Sequence, residues 1–126
     1  MSWQAYVDSN LLATGKIKKA AIHGLDGNLW ATSADFSLPK AEVDTLIKAF
    51  VDPAGIRSAG LNLGGTKYVA LRADDRSIYA KTNTSGAVCV KTKQAVLIAI
   101  YENPVQPGEA TKVVEGLADY LIGLNY

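Results

Sequence analysis

The sequence predicts a single α+β domain over residues 1–126. A central antiparallel β-sheet would carry the N- and C-terminal helices on one face and shorter helices on the other. Three observations lead to this prediction: both chain ends have apolar residues at helical spacing, residues 61–101 alternate with period two between short turns, and residues 95–101 are apolar on both faces. Short strand connections require antiparallel pairing, and helices with one apolar stripe must bury it against another element, of which the sheet is the simplest here.

The first helix is predicted over residues 3–13. Trp3, Val7 and Leu11 recur at positions i, i+4 and i+8, and Tyr6 lies at the edge of this stripe. Large aromatic side chains are uncommon at chain ends that fray, so the first helix is expected to be held against the rest of the domain.

A hairpin and two further helices are predicted next. Residues 20–22 and 29–31 are apolar and flank the sequence LDGN, in which the Asp-Gly pair favours a tight turn. Residues 39–50 have the pattern of an amphipathic helix, and a short helix is predicted over 54–58. The buried stripe of the longer helix would consist of Val43, Leu46, Ile47 and Phe50.

The second half of the chain predicts five strands and a final helix. The strands are expected at residues 61–63, 67–73, 77–81, 86–91 and 95–101. The last of these is apolar on both faces and should therefore be a central strand covered twice. The final helix would begin near Gly108 or Glu109, with Tyr120 at the margin of its apolar stripe beside Leu124.

Composition excludes several functional classes. The chain has 13 basic and 12 acidic residues, a net charge of +1, which argues against bulk binding to nucleic acid. No segment approaches the roughly 20 apolar residues of a membrane span, and residues 1–15 lack the apolar core of a signal peptide. The single cysteine, Cys89, lies in an apolar run and is expected to be a buried thiol. A cytoplasmic protein fits these features.

Motifs for catalysis, metals or cofactors are weak or absent in the sequence. His23 is the only histidine, so a zinc site is not expected. Asp74 and Asp75 stand beside Arg76 at a predicted hairpin tip, where carboxylates are normally solvated rather than catalytic. We therefore assign no catalytic residue, metal or cofactor and do not expect an enzyme.

Aromatic residues form the first candidate site. Both tryptophans and three of the six tyrosines lie in the terminal helices or the first hairpin. They are Trp3, Tyr6, Trp30, Tyr120 and Tyr126. Ordinary core packing would account for any one ring, but rings at helix margins that converge on one surface suit a proline-rich ligand, which is stiff and already extended.

Basic residues form the second candidate site. They cluster on the late strands and turns as Lys67, Arg72, Arg76, Lys81, Lys91 and Lys93. Strand alternation predicts that Tyr68, Ala70 and Arg72 point one way. An alignment of Arg72, Tyr79, Lys81 and Lys91 across the sheet, bordered by Lys112, would form a cationic face for an acidic protein. A normally solvated sheet face is the alternative.

Three stretches resemble the profilin family, in the form found in fungal and protist members. They are SWQAYVD at residues 2–8, LRADDRSIY at 71–79 and LADYLIG at 117–123. The resemblance extends over essentially the whole chain. It implies a small cytoplasmic protein of the cytoskeleton that binds monomeric actin, regulates its polymerisation, promotes exchange of its nucleotide and binds proline-rich proteins such as formin-type nucleators through a separate surface.

The resemblance also implies particular site residues. The poly-proline site would contain Trp3, Tyr6, Trp30, Tyr120, Leu121 and Tyr126. The actin site would contain Lys67, Arg72, Tyr79, Lys81, Lys91 and Lys112.

The chain departs from the family at two points. Ala80 stands where many relatives have glycine. Ile122 and Gly123 stand where vertebrate members have paired arginines that are thought to contact phosphoinositides. Any phosphoinositide binding would therefore use the cationic sheet face, in competition with actin.

A small-molecule sensor domain built on an antiparallel sheet is the alternative function. Such a domain needs a closed internal pocket. The apolar strand at residues 95–101 is expected to fill the interior instead, which disfavours this alternative.

Overall fold

The computed structural model describes residues 2–34 and 36–126. In it, an antiparallel sheet has the strand order β2-β1-β7-β6-β5-β4-β3. The strands are β1 Lys19–Gly24, β2 Leu29–Thr32, β3 Leu61–Leu63, β4 Thr66–Ala73, β5 Ser77–Lys81, β6 Ser85–Lys91 and β7 Ala95–Glu102. The helices are α1, which comprises Trp3–Ala5, Tyr6–Leu11 and Leu12–Thr14, then α2 Lys40–Val51, α3 Pro53–Ala59 and α4 Pro107–Gly123. The predicted α+β class is confirmed.

Two hydrophobic cores lie on opposite faces of the sheet. Apolar residues of α1 and α4 pack on one face, and apolar residues of α2 and α3 pack on the other. Strand β7 lies between the two cores and is buried along its whole length except at Glu102. The prediction of a central strand covered twice is therefore confirmed, and so is the placement of the terminal helices on the same face.

Helix α1 is wider than the regular helix that the sequence predicts. Its middle segment, Tyr6–Leu11, is π-helical, and the N–H of Leu12 bonds the carbonyl of Val7 five residues earlier. Tyr6 lies in the core with Val7 and Leu11, and only 5% of Tyr6 is exposed. Tyr6 is consequently a buried residue rather than one at an exposed margin.

Strand β4 contains a bulge that reverses part of the predicted alternation. Ala70 pairs with Ala80, yet Arg72 pairs with the adjacent Tyr79, so β4 has one extra residue in this interval. Tyr68 and Ala80 belong to the core under α2 and α3, whereas Tyr79 packs against the core under α4. The prediction that Tyr68, Ala70 and Arg72 share a face is wrong, because the bulge places Arg72 on the face of Tyr79.

Candidate binding surfaces

Five aromatic rings from both chain ends and the first hairpin meet in one cluster. The cluster, called the aromatic cluster below, consists of Trp3, Tyr6, Trp30, Tyr120 and Tyr126. The ring centroid of Trp3 lies 4.7 Å from Trp30, 5.2 Å from Tyr126 and 5.6 Å from Tyr6. Tyr120 joins through Tyr6, with centroids 6.2 Å apart. The rings are tilted or edge-on, as aromatic pairs prefer.

Polar contacts and one glycine position the first part of this cluster. The Ser2 hydroxyl accepts a hydrogen bond from the N–H of Ala5 at 3.1 Å and so caps α1. The Gln4 amide donates to the carbonyl of Thr32 at 2.9 Å, which ties α1 to the strand that carries Trp30. A Cβ atom on Gly24 would lie 2.9 Å from the Trp30 indole, so a glycine at this position lets the ring lie against β1.

The chain end is anchored in a way that fixes Tyr126. Asn125 adopts a left-handed conformation with φ 67°, and the N–H of Tyr126 bonds the carbonyl of Leu121 at 2.9 Å, which closes a Schellman motif after α4. The Tyr126 carbonyl accepts hydrogen bonds from the N–H of Gln94 at 2.6 Å and from the hydroxyl of Thr92 at 2.8 Å. The backbone of Tyr126 is therefore anchored by the turn between β6 and β7, which fixes where its ring begins.

The aromatic cluster is only partly exposed. Tyr120 is 53% exposed and Tyr126 is 41% exposed, whereas Trp3 and Trp30 are half-buried. Burial raises the pKa of Tyr6, and the neighbouring Tyr120 raises it further, so this phenol remains a hydrogen-bond donor at neutral pH. An open cleft of about 310 Å³ lies over the cluster and is lined by Trp3, Tyr6, Tyr120, Leu124 and Tyr126.

Two leucines of the last turn differ from the sequence expectation. Leu121 is completely buried and packs in the core beneath the rings. It has no surface to offer a ligand, so its assignment to the poly-proline site is corrected to a supporting position. Leu124 is 45% exposed and lines the cleft. The sequence did contain a signal for Leu124: at the margin of the apolar stripe it lies beside Tyr120, another residue that lines the cleft.

A second surface lies on β4 and β5, on the face that also carries α4. It is called the basic face below and consists of Lys67, Arg72, Tyr79 and Lys81. The guanidinium of Arg72 lies over the Tyr79 ring, 5.5 Å from its centroid, and pairs with Asp74 at 3.1 Å. The side chain of Arg72 is 61% exposed. Val69 and Leu71, 62% and 56% exposed, add apolar area beside these charges.

Two of the clustered basic residues, Lys91 and Lys93, do not belong to the basic face. Lys91 pairs with Val96 and shares the strand face of Cys89, both of which belong to the core under α2 and α3. Lys91 thus lies on the opposite sheet face from Tyr79, and the predicted alignment is wrong at this residue. The Lys93 ammonium donates to the Asn125 side chain at 2.9 Å. Lys112 is exposed in the first half of α4.

Glu115 of α4 connects this helix to the sheet beside the basic face, and sequence reasoning did not find it. Its carboxylate accepts hydrogen bonds from the Ser77 hydroxyl at 2.7 Å and from the Tyr79 hydroxyl. It also pairs with the Arg76 guanidinium at 3.0 Å, and Arg76 pairs in turn with Asp119 at 2.7 Å. The helical pattern gave no signal, because a glutamate beside an apolar stripe is normally solvated.

Comparisons with known proteins identify the family. A sequence model of the Profilin family matches residues 1–126. The chain belongs to the profilin family. It is 54% identical to Profilin-2 of Acanthamoeba castellanii over 126 residues, which cover 100% of both chains. The solved structure of Acanthamoeba castellanii profilin IB has a TM-score of 0.97 at 54% identity and covers 99% of this chain and 100% of that one.

A more distant profilin has been solved with a peptide ligand. Mouse profilin IIa, in complex with a double repeat from the FH1 domain of mDia1, matches with a TM-score of 0.83 at 26% identity and covers 100% of both chains. Actin binding and poly-proline binding are properties of the profilin family, which is not a family of enzymes. Profilins are cytoskeleton-associated proteins. In the described part of this chain, no helix has the length and apolar character needed to cross a membrane.

Asp74, His23 and Cys89, the residue types that could serve catalysis or metal binding, are hydrogen-bonded or buried in this profilin. The Asp74 carboxylate accepts the N–H groups of Ser77 and Arg76 at 2.7 and 2.9 Å, and these two bonds lower its pKa. Burial lowers the pKa of His23 and raises the pKa of the Cys89 thiol to about 12. Within residues 2–34 and 36–126, histidine, cysteine and acidic side chains form no group of three that could hold a metal ion.

Proposed function

We propose that this profilin binds monomeric actin through the basic face, promotes exchange of the nucleotide on actin, and binds proline-rich proteins through the aromatic cluster. The observation that carries the proposal is the contact of five aromatic rings from three separate segments in one partly exposed cluster. Ordinary core packing would not explain why the two most exposed tyrosines, Tyr120 and Tyr126, line the same cleft.

The chemistry of the aromatic cluster suits a polyproline II helix. Such a helix has no internal hydrogen bonds, so its carbonyl groups need donors and its rings need flat apolar surfaces. Indole N–H and phenol O–H groups supply the donors, and the ring faces supply the surfaces. Because the ligand is already extended, little conformational entropy is lost on binding. The mouse profilin complex with FH1 repeats supports proline-rich segments of formin-type proteins as ligands.

The basic face suits an acidic protein surface. Exposed cations surround a half-buried tyrosine and two exposed apolar side chains, Val69 and Leu71. This combination of charge for steering and apolar area for binding is common in protein interfaces. Nucleotide exchange would follow from tighter binding to an open conformation of actin, without catalytic groups on the profilin. Anionic phosphoinositides would compete with actin for the same cations.

The sheet order supports two separate surfaces. Trp30 lies on β2 at one edge of the sheet, whereas Arg72 lies on β4, next to the opposite edge. Cytoplasmic, cytoskeletal localisation follows from the proposed partners.

A pair of variants tests the proposal. Trp3→Ala should weaken binding of an oligoproline peptide at least about tenfold, because it removes the ring that contacts three others. Arg72→Glu should weaken binding of monomeric actin about tenfold by reversing charge at the basic face. Titration calorimetry with the peptide and a polymerisation assay with pyrene-labelled actin measure the two affinities on each variant.

Each variant is the control for the other ligand. Trp3→Ala should retain actin binding within about twofold, and Arg72→Glu should retain oligoproline binding to the same extent. Tyr120→Ala, at a more exposed ring, gives a second test if Trp3→Ala folds poorly. Equal loss of both ligands in either variant, or no loss of the assigned ligand, would contradict the proposal.

A further inference from the structure

The Glu115 carboxylate collects three side-chain donors from the sheet. One oxygen accepts the hydroxyl groups of Ser77 and Tyr79, and the other accepts the guanidinium of Arg76 through two nitrogens, at 3.0 and 3.3 Å. The Glu115 side chain is only 23% exposed. A half-buried carboxylate with this many donors is held in one orientation, and it holds its donors in return.

The orientation of Tyr79 determines where Arg72 lies. Glu115 accepts the hydroxyl of Tyr79 and so holds the phenol end of the ring over which the Arg72 guanidinium lies. Burial raises the pKa of Tyr79 and the bond to Glu115 raises it further, so the phenol stays a donor at neutral pH. Asp74 also pairs with this guanidinium, at 3.1 Å.

Arg76 has a different environment from Arg72, although only four positions separate them. Its guanidinium pairs with both Glu115 and Asp119, at 3.0 and 2.7 Å. These two carboxylates more than offset its single positive charge, so Arg76 joins α4 to the sheet and leaves Arg72 as the exposed cation beside Tyr79.

We propose that Glu115 is a positioning residue for the basic face: by fixing Tyr79 and binding Arg76, it holds Arg72 in the orientation that contacts actin. This inference rests on the proposed function. It adds an acidic residue on α4 to a site otherwise composed of cations and one tyrosine on the sheet.

Two substitutions at this position separate the contributions of charge and hydrogen bonding. Glu115→Ala should weaken binding of monomeric actin about tenfold, because Tyr79 loses the acceptor of its hydroxyl and Arg76 loses one of its two carboxylate partners. Glu115→Gln should have an intermediate effect, since its amide oxygen still accepts the Tyr79 hydroxyl but carries no charge for Arg76. The matched control on the same helix is Asp119→Asn. It removes a more exposed partner of Arg76 and should keep actin affinity within about twofold.

A double-mutant cycle tests whether the effect passes through Tyr79. Tyr79→Phe keeps the ring but removes the hydroxyl that Glu115 accepts. In the Glu115→Ala background, this second change should weaken actin binding by less than about twofold, although it weakens binding severalfold in the wild-type background. Fully additive effects would overturn the inference.

Oligoproline affinity, measured on the same preparations, distinguishes positioning from general destabilisation. Positioning predicts that Glu115→Ala binds oligoproline as the wild type does. Equal loss of both ligands would show a scaffold role and overturn the inference. If the wild type binds actin and Glu115→Ala binds it equally well, the inference fails and the proposed function stands. If the wild type does not bind actin, the proposed function itself fails.

Discussion

Residue by residue, the basic face depends on which side of the sheet each cation occupies. Lys81 alternates with Tyr79 along β5 and therefore lies on the same face. Lys91 belongs to the strand face of Cys89, whose side chain is buried under α2 and α3. The two lysines are close in sequence, but the sheet separates them.

This difference predicts unequal effects of the same charge reversal. Lys81→Glu should weaken binding of monomeric actin about fivefold to tenfold, because it places an anion in the basic face. Lys91→Glu should change the affinity by less than about twofold, since the residue faces away from that surface. Sedimentation or fluorescence anisotropy with labelled actin measures both. Equal weakening by the two substitutions would show that the actin contact extends around the sheet edge.

At the scale of elements, the position of the Trp30 ring depends on how closely β1 and β2 approach each other at Gly24. Gly24→Ala would place a methyl group 2.9 Å from the indole, so the ring must shift. We expect oligoproline binding to weaken about fivefold, at a cost of about 1 kcal/mol in the free energy of unfolding. Calorimetry and thermal unfolding measure these two quantities.

Gly55→Ala is the matched control for this prediction. Gly55 lies in α3, where an added Cβ meets no described atom within 4 Å, and alanine is favoured in a helix. Peptide affinity should be unchanged and stability equal or higher. If Gly24→Ala binds oligoproline as the wild type does, the observed position of the Trp30 ring is not required for binding this ligand.

The elements that local patterns specify could be predicted from the sequence. The predicted strand at 77–81 agrees with β5 at both ends, and the other late strands agree within one residue, because turn residues and period-two alternation mark their ends. The bulge in β4 left no local signal, since register there depends on the pairing of Arg72 with Tyr79 across the sheet. The π-helical segment Tyr6–Leu11 likewise has no signal in the local sequence pattern, which predicts a regular helix.

At the scale of the molecule, the strand order places Trp30 on β2 at one edge of the sheet and Arg72 on β4, next to the opposite edge. We therefore expect a ternary complex in which immobilised oligoproline retains this profilin together with actin in a 1:1 ratio. Actin affinity measured with and without saturating oligoproline should differ by less than about twofold. Release of actin when the peptide binds would mean that the two surfaces overlap, or that binding at one lowers the affinity at the other. Trp3→Ala gives the control, since the beads should then retain much less of both proteins.

The contact between Trp3 and Trp30 has a consequence for spectroscopy. Both tryptophans of the chain belong to this one pair, with ring centroids 4.7 Å apart. Tryptophan emission from the whole protein therefore originates at a single place, where α1 meets β2. An unfolding curve recorded by this emission follows the separation of that helix from that strand, and the strands at the far edge of the sheet contribute to it only through the cooperativity of the fold.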